Sequence, residues 1–544
     1  MKNSALSGFL KNNWVYLLLL IILIFITYGN SLNNAFLSDD LAEIVQNPNI
    51  GNLSNAITTH PFGFIRLILY WLAYHLGGLN PLGFRLINIG FHIGNVILIY
   101  TLLNLLYQRR VAIFVASIFA VHPAISEAVV WISGGMYPQY TFLFLLSFLF
   151  YLLSEKSKKY YWLSVLTYLF SFMSHPQMPL ALFLIFPLWE LAFGNLKRNW
   201  KKTIPFIIIA IVYVLIGLNA LPERTETLQS THYQEVGIDN PLLIIPTAIT
   251  SYFELIFWPK TLTLYHSELA FGPLNFAIRT LVTVLFLVGI LICFKKNKFI
   301  FFWSSLFLIA LAPTLTPFRL NWIVAERYLY LPILGILVTV ALGLERLSQL
   351  IKFRRVIYIV CVLIVALLAT RTIIRNIDWK NEDNLWIATG KTSPSSPNTH
   401  NNLGDVYGRW GDKQRALQEF QKAIELKPNY GDGYHNLANT YRELGQIDKA
   451  LENYHNAIKY NPNLWQSYQN IAALYFEAKQ YDKSLEYIQK AIQINPKNLN
   501  LYNNLGIVYL VMGQKDKSKE VFNTVLSTDP QNQLARQGLI EASK

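Results

Sequence analysis

Long apolar runs fill the chain before about Arg375, and they constrain its fold more than any other feature. A helix that crosses the hydrocarbon core of a bilayer needs about 20 mostly apolar residues, and irregular backbone there would leave peptide groups unpaired. Two more apolar runs, at 62–76 and 241–258, are short or bounded by Pro and are expected to be lateral or re-entrant helices. About eleven spans are predicted, at residues 14–29, 84–106, 111–131, 138–153, 160–174, 178–193, 203–220, 275–294, 299–316, 328–345 and 356–374. The sequence therefore predicts an all-α, polytopic integral membrane bundle.

Basic residues lie in alternate loops between these runs. The formal net charge is +14, which in a soluble protein would suggest a nucleic-acid partner. Basic loops between apolar runs are instead typical of membrane topology, so no nucleic-acid partner is expected. These loops hold Arg109-Arg110, Lys156 with Lys158-Lys159, Lys197-Arg198 with Lys201-Lys202, Lys295-Lys296 with Lys298, and Lys352 with Arg354-Arg355. With an inside N-terminus and an odd number of spans, the C-terminal region is predicted to be extracytoplasmic, beyond the cytoplasmic membrane if the source is bacterial.

The residues after Asp378 are polar and repeat with a period of 34. The period relates Pro428, Pro462, Pro496 and Pro530, and likewise Tyr407, Tyr441, Tyr475 and Tyr509. This pattern is typical of tetratricopeptide repeats, in which stacked helix pairs bury what one repeat cannot. We predict a membrane domain at 1–378, a linker at 379–393, and an α-solenoid of four repeats plus a closing helix at 394–544. Such an array presents a concave surface for an acceptor peptide or a partner protein, although a solely structural scaffold is the alternative.

Adjacent carboxylates follow the first span, in Leu37-Ser38-Asp39-Asp40. They could accept a proton from an attacking hydroxyl, or help hold a divalent cation with a phosphate. Alternatively, Ser38 or Asp39 caps a short helix that begins near Leu41.

Other polar residues are expected at the outward face of the bundle, where they are costly and are therefore functional candidates. Arg319 and Arg327 suit a lipid-linked phosphate, because the guanidinium matches phosphate oxygens. Their alternative is snorkelling to the interface, or an ion pair with Glu326. His122 could take part in catalysis, or it could be a hydrogen-bonding residue at a helix end. Glu127, Glu326 and His175 are further supporting candidates.

Several motifs together resemble those of a known family. They are Tyr28-Gly29-Asn30-Ser31-Leu32-Asn33, Asp39-Asp40, Asn47-Pro48, Gly78-Leu79-Asn80-Pro81, Asn88, His92, His122-Pro123, the segment from Glu127 to Gly134, and the segment from Glu326 to Pro332. With the repeats, they resemble the transmembrane and tetratricopeptide repeat proteins, which are protein O-mannosyltransferases of the GT-C type. The resemblance implies a polyprenyl-phosphate-sugar donor, an inverting transfer, and a protein Ser or Thr acceptor. It also implies that Asp39 and Asp40 are the catalytic signature.

Two motifs depart from that family. Gly135-Met136-Tyr137 stands where many relatives carry Arg and an acidic residue, and Ser174-His175-Pro176-Gln177 replaces a Ser-Lys-Glu motif. Donor binding or sugar identity could differ accordingly, with mannose the expected sugar. Two other functions stay open at this point: a GT-C transferase with a glycan or lipid acceptor, and a non-catalytic membrane scaffold that anchors the repeats.

Overall fold

Helices form almost all of the regular structure. The computed structural model describes residues 3–59, 61–231, 241–269, 272–315, 324–350 and 354–544, and these residues contain no β-strand. The chain divides into two compact units, Met1–Thr392 and Ser393–Lys544. The predicted all-α class is therefore confirmed.

The first unit contains sixteen α-helices among its described residues. They are α1 Asn3–Tyr28, α2 Leu53–Thr59, α3 Phe64–Gly77, α4 Pro81–Leu106, α5 Arg109–Val121, α6 Ser126–Val130, α7 Met136–Leu153, α8 Lys158–Ser174, α9 Ile185–Ala192, α10 Leu196–Thr231, α11 Pro241–Phe257, α12 Pro273–Lys296, α13 Lys298–Leu311, α14 Ile333–Leu350, α15 Arg354–Asp378 and α16 Glu382–Thr392. Helix α16 falls within the stretch predicted to be a linker, and its Leu385 and Trp386 are buried in this unit.

Fewer helices are long enough to cross a membrane than the sequence predicts. Among the described residues, six helices are long and apolar enough to cross a membrane, and a bent pair of helices would make a seventh span. Several apolar runs form shorter helices instead, at Phe64–Gly77, Met178–Ala192, Ile244–Phe257 and Lys298–Thr314. The apolar helices are compatible with a multi-pass membrane protein, but the count of about eleven is not reproduced.

The bent pair has an identifiable cause. Helix α5 ends at Val121, and the next helical segment, Pro123–Val130, is turned by 59°. His122 between them is extended, with φ −70° and ψ 123°. A residue before proline is disfavoured in the helical region, and proline itself cannot donate a backbone hydrogen bond. The break carries α6 and the residues after it into the interior of the bundle.

The second unit consists of helix pairs in the predicted register. They are α17 Pro397–Arg409, α18 Lys413–Leu426, α19 Gly431–Glu443, α20 Ile447–Tyr460, α21 Trp465–Glu477, α22 Tyr481–Ile494, α23 Leu499–Val511 and α24 Lys515–Thr528, followed by α25 Gln533–Ser543. Residues from both helices of a pair share one core, including Leu417, Phe420, Leu437 and Tyr454. Stacked pairs thus bury a continuous apolar seam.

One repeat departs from its siblings at the turn inside the helix pair. Gly411, Gly445 and Gly513 occupy this position with φ between 72° and 82°, whereas the third repeat has Lys479 with φ 59°. The left-handed region crowds Cβ against the backbone, so only glycine adopts it without strain. The exposed Lys479 is therefore the strained member of the set.

We expect Lys479→Gly to stabilise the repeat unit by about 0.5–1 kcal/mol, because relief of Cβ strain exceeds the entropy that glycine loses. Denaturant unfolding of residues 393–544 would measure this difference. The matched control is Gly445→Lys, which places the same side chain in the same turn and should destabilise by a similar amount. A less stable Lys479→Gly variant would contradict the assignment of strain.

Candidate active site

The two adjacent carboxylates lie in different environments. Asp40 is fully buried, whereas Asp39 is exposed. One oxygen of Asp40 accepts hydrogen bonds from Ser133, at 2.8 Å from its backbone nitrogen and 2.6 Å from its hydroxyl. The other oxygen accepts from the backbone nitrogen of Leu37 at 3.1 Å. Asp40 therefore fixes the loop, and Asp39 is left facing outward.

Asp40 makes no side-chain capping bond to the helical turn that begins at Leu41. Both of its carboxylate oxygens already accept N–H or O–H groups, and these three bonds leave Asp40 about one acceptor site for a cation beside Asp39. The described residues contain no group of three or more His, Cys, Asp or Glu positioned to hold a metal ion.

Burial also changes the ionisation of Asp40. It raises the pKa of this carboxyl from 3.8 to about 6, because desolvation outweighs the hydrogen bonds from Ser133 and Leu37 and the charge of Arg85. A buried carboxylate is costly even where donors surround it.

Two side chains from distant parts of the chain hold the same loop. The buried Arg85 of α4 donates to the backbone carbonyls of Asn34 and Ala35, and also to that of Val130 at 3.2 Å. Glu382 accepts from the backbone nitrogen of Ser38 at 2.5 Å. Ser38 has φ 50°, an uncommon conformation for a residue other than glycine. The loop is thus held in a strained form by contacts from α4 and α16.

A further ion pair lies beside Asp39. Arg66 and Glu43 are 2.9 Å apart and half-buried, and the charge of Arg66 also acts on Asp39. Glu43 in turn lies 3.3 Å from the Ser133 hydroxyl. Glu43 was not singled out from the sequence. Glu43 follows Asp39 by four residues and Asp40 by three, and in a helical turn this spacing brings side chains to the same side. That spacing is the sequence signal that could have identified it.

Arg327 is already partnered. Its guanidinium donates to Glu127 at 2.6 Å, and its backbone nitrogen donates to the other Glu127 oxygen at 3.0 Å. It also lies over the rings of Trp131 and Tyr328, at 5.6 and 5.1 Å. An ion pair with the neighbouring Glu326 was one alternative offered by the sequence, but Arg327 forms its ion pair with Glu127, 200 residues away.

Glu326 belongs to a second buried cluster. It accepts from Arg375 at 3.2 Å and from the backbone nitrogen of Thr263, and His266 lies 3.9 Å away. Burial raises the pKa of Glu326 above its ordinary value, and the charge of Arg375 opposes that rise. Arg375 also pairs with Asp378 at 3.0 Å. Sequence reasoning missed Arg375 because it ends an apolar run and resembled a boundary residue.

The segment from Glu127 to Gly135 connects these groups. Trp131 stacks on Trp379 with ring centres 6.0 Å apart, and its carbonyl accepts from Asn88 at 3.1 Å. A Cβ on Gly135 would lie 1.9 Å from the Asn88 side chain, so a larger residue cannot fit here without moving Asn88.

Of the remaining candidate residues, His122 and His175 hydrogen-bond to backbone groups, and one lies outside the described residues. His122 donates from Nε2 to the Ile256 carbonyl at 3.0 Å and accepts from Ala124, as expected of a helix-end residue. His175 follows α8, where its Nδ1 accepts from Gln177 at 3.4 Å, and its ring packs edge-on against Tyr137. Arg319 lies outside the described residues.

The raised pKa predicts how Asp40 affects stability. The folded-state pKa of Asp40 exceeds the unfolded value, so the protonated carboxyl stabilises the folded state. This stabilisation is complete below about pH 4 and is lost as the pH rises through about 6. We expect this loss to be about 2–3 kcal/mol. Unfolding of the detergent-purified protein between pH 4 and pH 7 would measure it.

The variant Asp40→Asn isolates this effect, since it keeps the side-chain shape and an oxygen for Ser133 but cannot ionise. Its unfolding free energy should vary less over that range than that of the wild type. Parallel pH curves for the two proteins would show that Asp40 keeps an ordinary pKa.

Comparisons with known proteins give two kinds of match, one to the repeats alone and one to most of the chain. Family models described as tetratricopeptide repeat match residues 397–430, 419–452 and 475–541, and one described as TPR repeat matches 438–478. A crystal structure of MamA protein is 21% identical, with a TM-score of 0.25, and covers 27% of this chain and 81% of that chain.

Curated relatives extend over most of the chain. The Caenorhabditis elegans protein O-mannosyl-transferase F38B6.6 is 26% identical over 76% of this chain and 63% of its own length. Human protein O-mannosyl-transferase TMTC3 is 24% identical over 74% of this chain and 50% of its own length. This chain thus spans about half to two thirds of the lengths of these relatives. The comparisons confirm the resemblance: over about three quarters of its length, this chain is homologous to the transmembrane and tetratricopeptide repeat proteins that are named protein O-mannosyl-transferases.

Proposed function

We propose that this protein is a membrane glycosyltransferase that moves a sugar, with mannose the expected one, from a polyprenyl phosphate to a protein Ser or Thr hydroxyl. The names of its relatives support transfer of mannose to protein. The observation that carries the proposal is the exposed Asp39 carboxylate, on a loop fixed by the buried Asp40 and placed beside Arg66. Such a group can reach an acceptor hydroxyl, and its position varies little.

Asp39 is the proposed general base. As the acceptor oxygen attacks the anomeric carbon, Asp39 takes its proton, the new carbon–oxygen bond forms, and the bond to the donor phosphate breaks on the opposite face. The sugar configuration is therefore inverted, and polyprenyl phosphate leaves. Asp40 is a positioning residue, because both of its oxygens are occupied by Leu37 and Ser133.

The donor phosphate needs cationic partners near Asp39. Arg327 and Arg319 are the candidates proposed from the sequence. Arg327 gives one side-chain N–H to Glu127, and a guanidinium has five such donors, so a phosphate could share it. We add Arg66 as a candidate, because it is half-buried and its charge acts on Asp39.

The repeats are proposed to bind the acceptor chain or a partner on the extracytoplasmic side. The basic loops support this orientation through the positive-inside rule. In a bacterium, the spans would lie in the cytoplasmic membrane and the repeats beyond it.

We expect Asp39→Asn to lower transfer by about 100-fold or more, since a positioned base typically contributes that much to the rate. The assay follows radiolabelled mannose from polyprenyl-phosphate-mannose to protein in vesicles containing the purified enzyme. Glu155→Gln, at an exposed carboxylate in the basic loop between α7 and α8, is the matched control and should retain full activity.

Glu43, which pairs with Arg66 near the same loop, is the alternative general base, and the variant Glu43→Gln tests it. A folded Asp39→Asn variant with wild-type transfer would refute the role of Asp39. Label that enters glycolipid but not protein would favour a glycan or lipid acceptor instead. If the folded wild type transfers no label at all, the non-catalytic scaffold gains support.

A further inference from the structure

A cleft lies among α5, α14 and α15, at the end of the bundle opposite Asp39. Its volume is about 330 Å³, and most of its lining is apolar, including Val111, Phe114, Leu344 and Val362. Polar groups occur mainly toward one end, where Arg110 lies over the ring of Tyr358 with its guanidinium carbon 6.0 Å from the ring centre. The cleft reaches Ser117, two helical turns or about 10 Å from Arg110.

The cleft opens where lipid chains would lie. Only 11% of the apolar window of α15 is buried inside the protein, so most of that helix faces outward. An apolar cavity does not hold water well, because water there would lack polar partners. Its dimensions and lining suit an acyl chain.

The mouth of this cleft is basic. Arg109 and Arg110 begin α5, and Arg346 and Arg355 lie at the same end of α14 and α15. Glu345 is 4.0 Å from Arg110, but no carboxylate oxygen of the described residues lies within 4.0 Å of Arg109, Arg346 or Arg355. Basic pockets between membrane helices bind anionic lipid head groups.

We propose that this cleft binds an anionic phospholipid, with one acyl chain between α14 and α15 and the phosphate near Arg110 and Arg355. Bound there, the lipid would join α15 to α5 and α14 at the end opposite Arg375. The proposal does not depend on the transferase activity.

Native mass spectrometry of the full-length protein tests this occupant. The protein would be purified in detergent from membranes that contain phosphatidylglycerol and phosphatidylcholine. We expect the wild type to retain one phosphatidylglycerol. The double variant Arg110→Gln, Arg355→Gln should reduce the retained fraction about tenfold, and so should Ala341→Phe, which places a ring in the cleft. The control Lys158→Gln, Lys159→Gln removes two exposed cations from another loop and should retain the lipid.

Four outcomes would overturn the proposal. Equal retention of phosphatidylcholine would remove the role of charge, and retention of phosphatidylglycerol in both cleft variants would place the lipid elsewhere. Retention of polyprenyl phosphate in place of phospholipid would assign the cleft to the donor lipid. A dimer that these variants dissociate would assign it to a second copy of this chain. The arginine double variant keeps the test decisive if Ala341→Phe fails to fold.

Discussion

The hydrogen bonds between Asp40 and Ser133 are the contact on which the candidate site depends. They join the loop after α1 to the segment that follows α6, 93 residues away in the chain. Ser133 ends a stretch whose other members bind Arg327, Arg85 and Trp379. At or near membrane depth an unpaired polar group costs several kcal/mol, so each of these contacts constrains the next. The outward position of Asp39 follows from this network.

The bend at Pro123 makes the network possible. A straight continuation of α5 would pair the carbonyls of the following residues within the helix. Because the helix breaks and α6 is short, the Val130 and Trp131 carbonyls instead accept from Arg85 and Asn88. Irregular backbone is tolerated at membrane depth when protein groups satisfy it. The break therefore exchanges bonds within a helix for bonds that position the site.

The sequence predicted the local features better than the distant contacts. The 34-residue period is a local signal, and the helices of the repeats follow it even at Lys479, whose backbone adopts the glycine-like conformation of its siblings. The adjacency of Asp39 and Asp40 was also visible, but their difference in burial was not, because it depends on Ser133 and Arg85. Likewise, the partner of Arg327 is Glu127 rather than its neighbour Glu326. Apolar runs located helices, but the lengths and bends of those helices depend on packing and on proline. For this reason the described residues contain fewer helices long enough to cross a membrane than the eleven predicted.

The two aspartates have different roles, and this difference explains why they are adjacent in the sequence. A lone exposed carboxylate on a loop would sample many positions, and ordering it for catalysis would cost conformational entropy. Asp40 supplies that order in the folded state, since burial and three hydrogen bonds fix the backbone next to Asp39. The strained φ of Ser38, held through Glu382, indicates that the surrounding structure determines the loop conformation rather than the loop itself. A buried acid that costs stability and an exposed acid that can accept a proton are therefore parts of one arrangement.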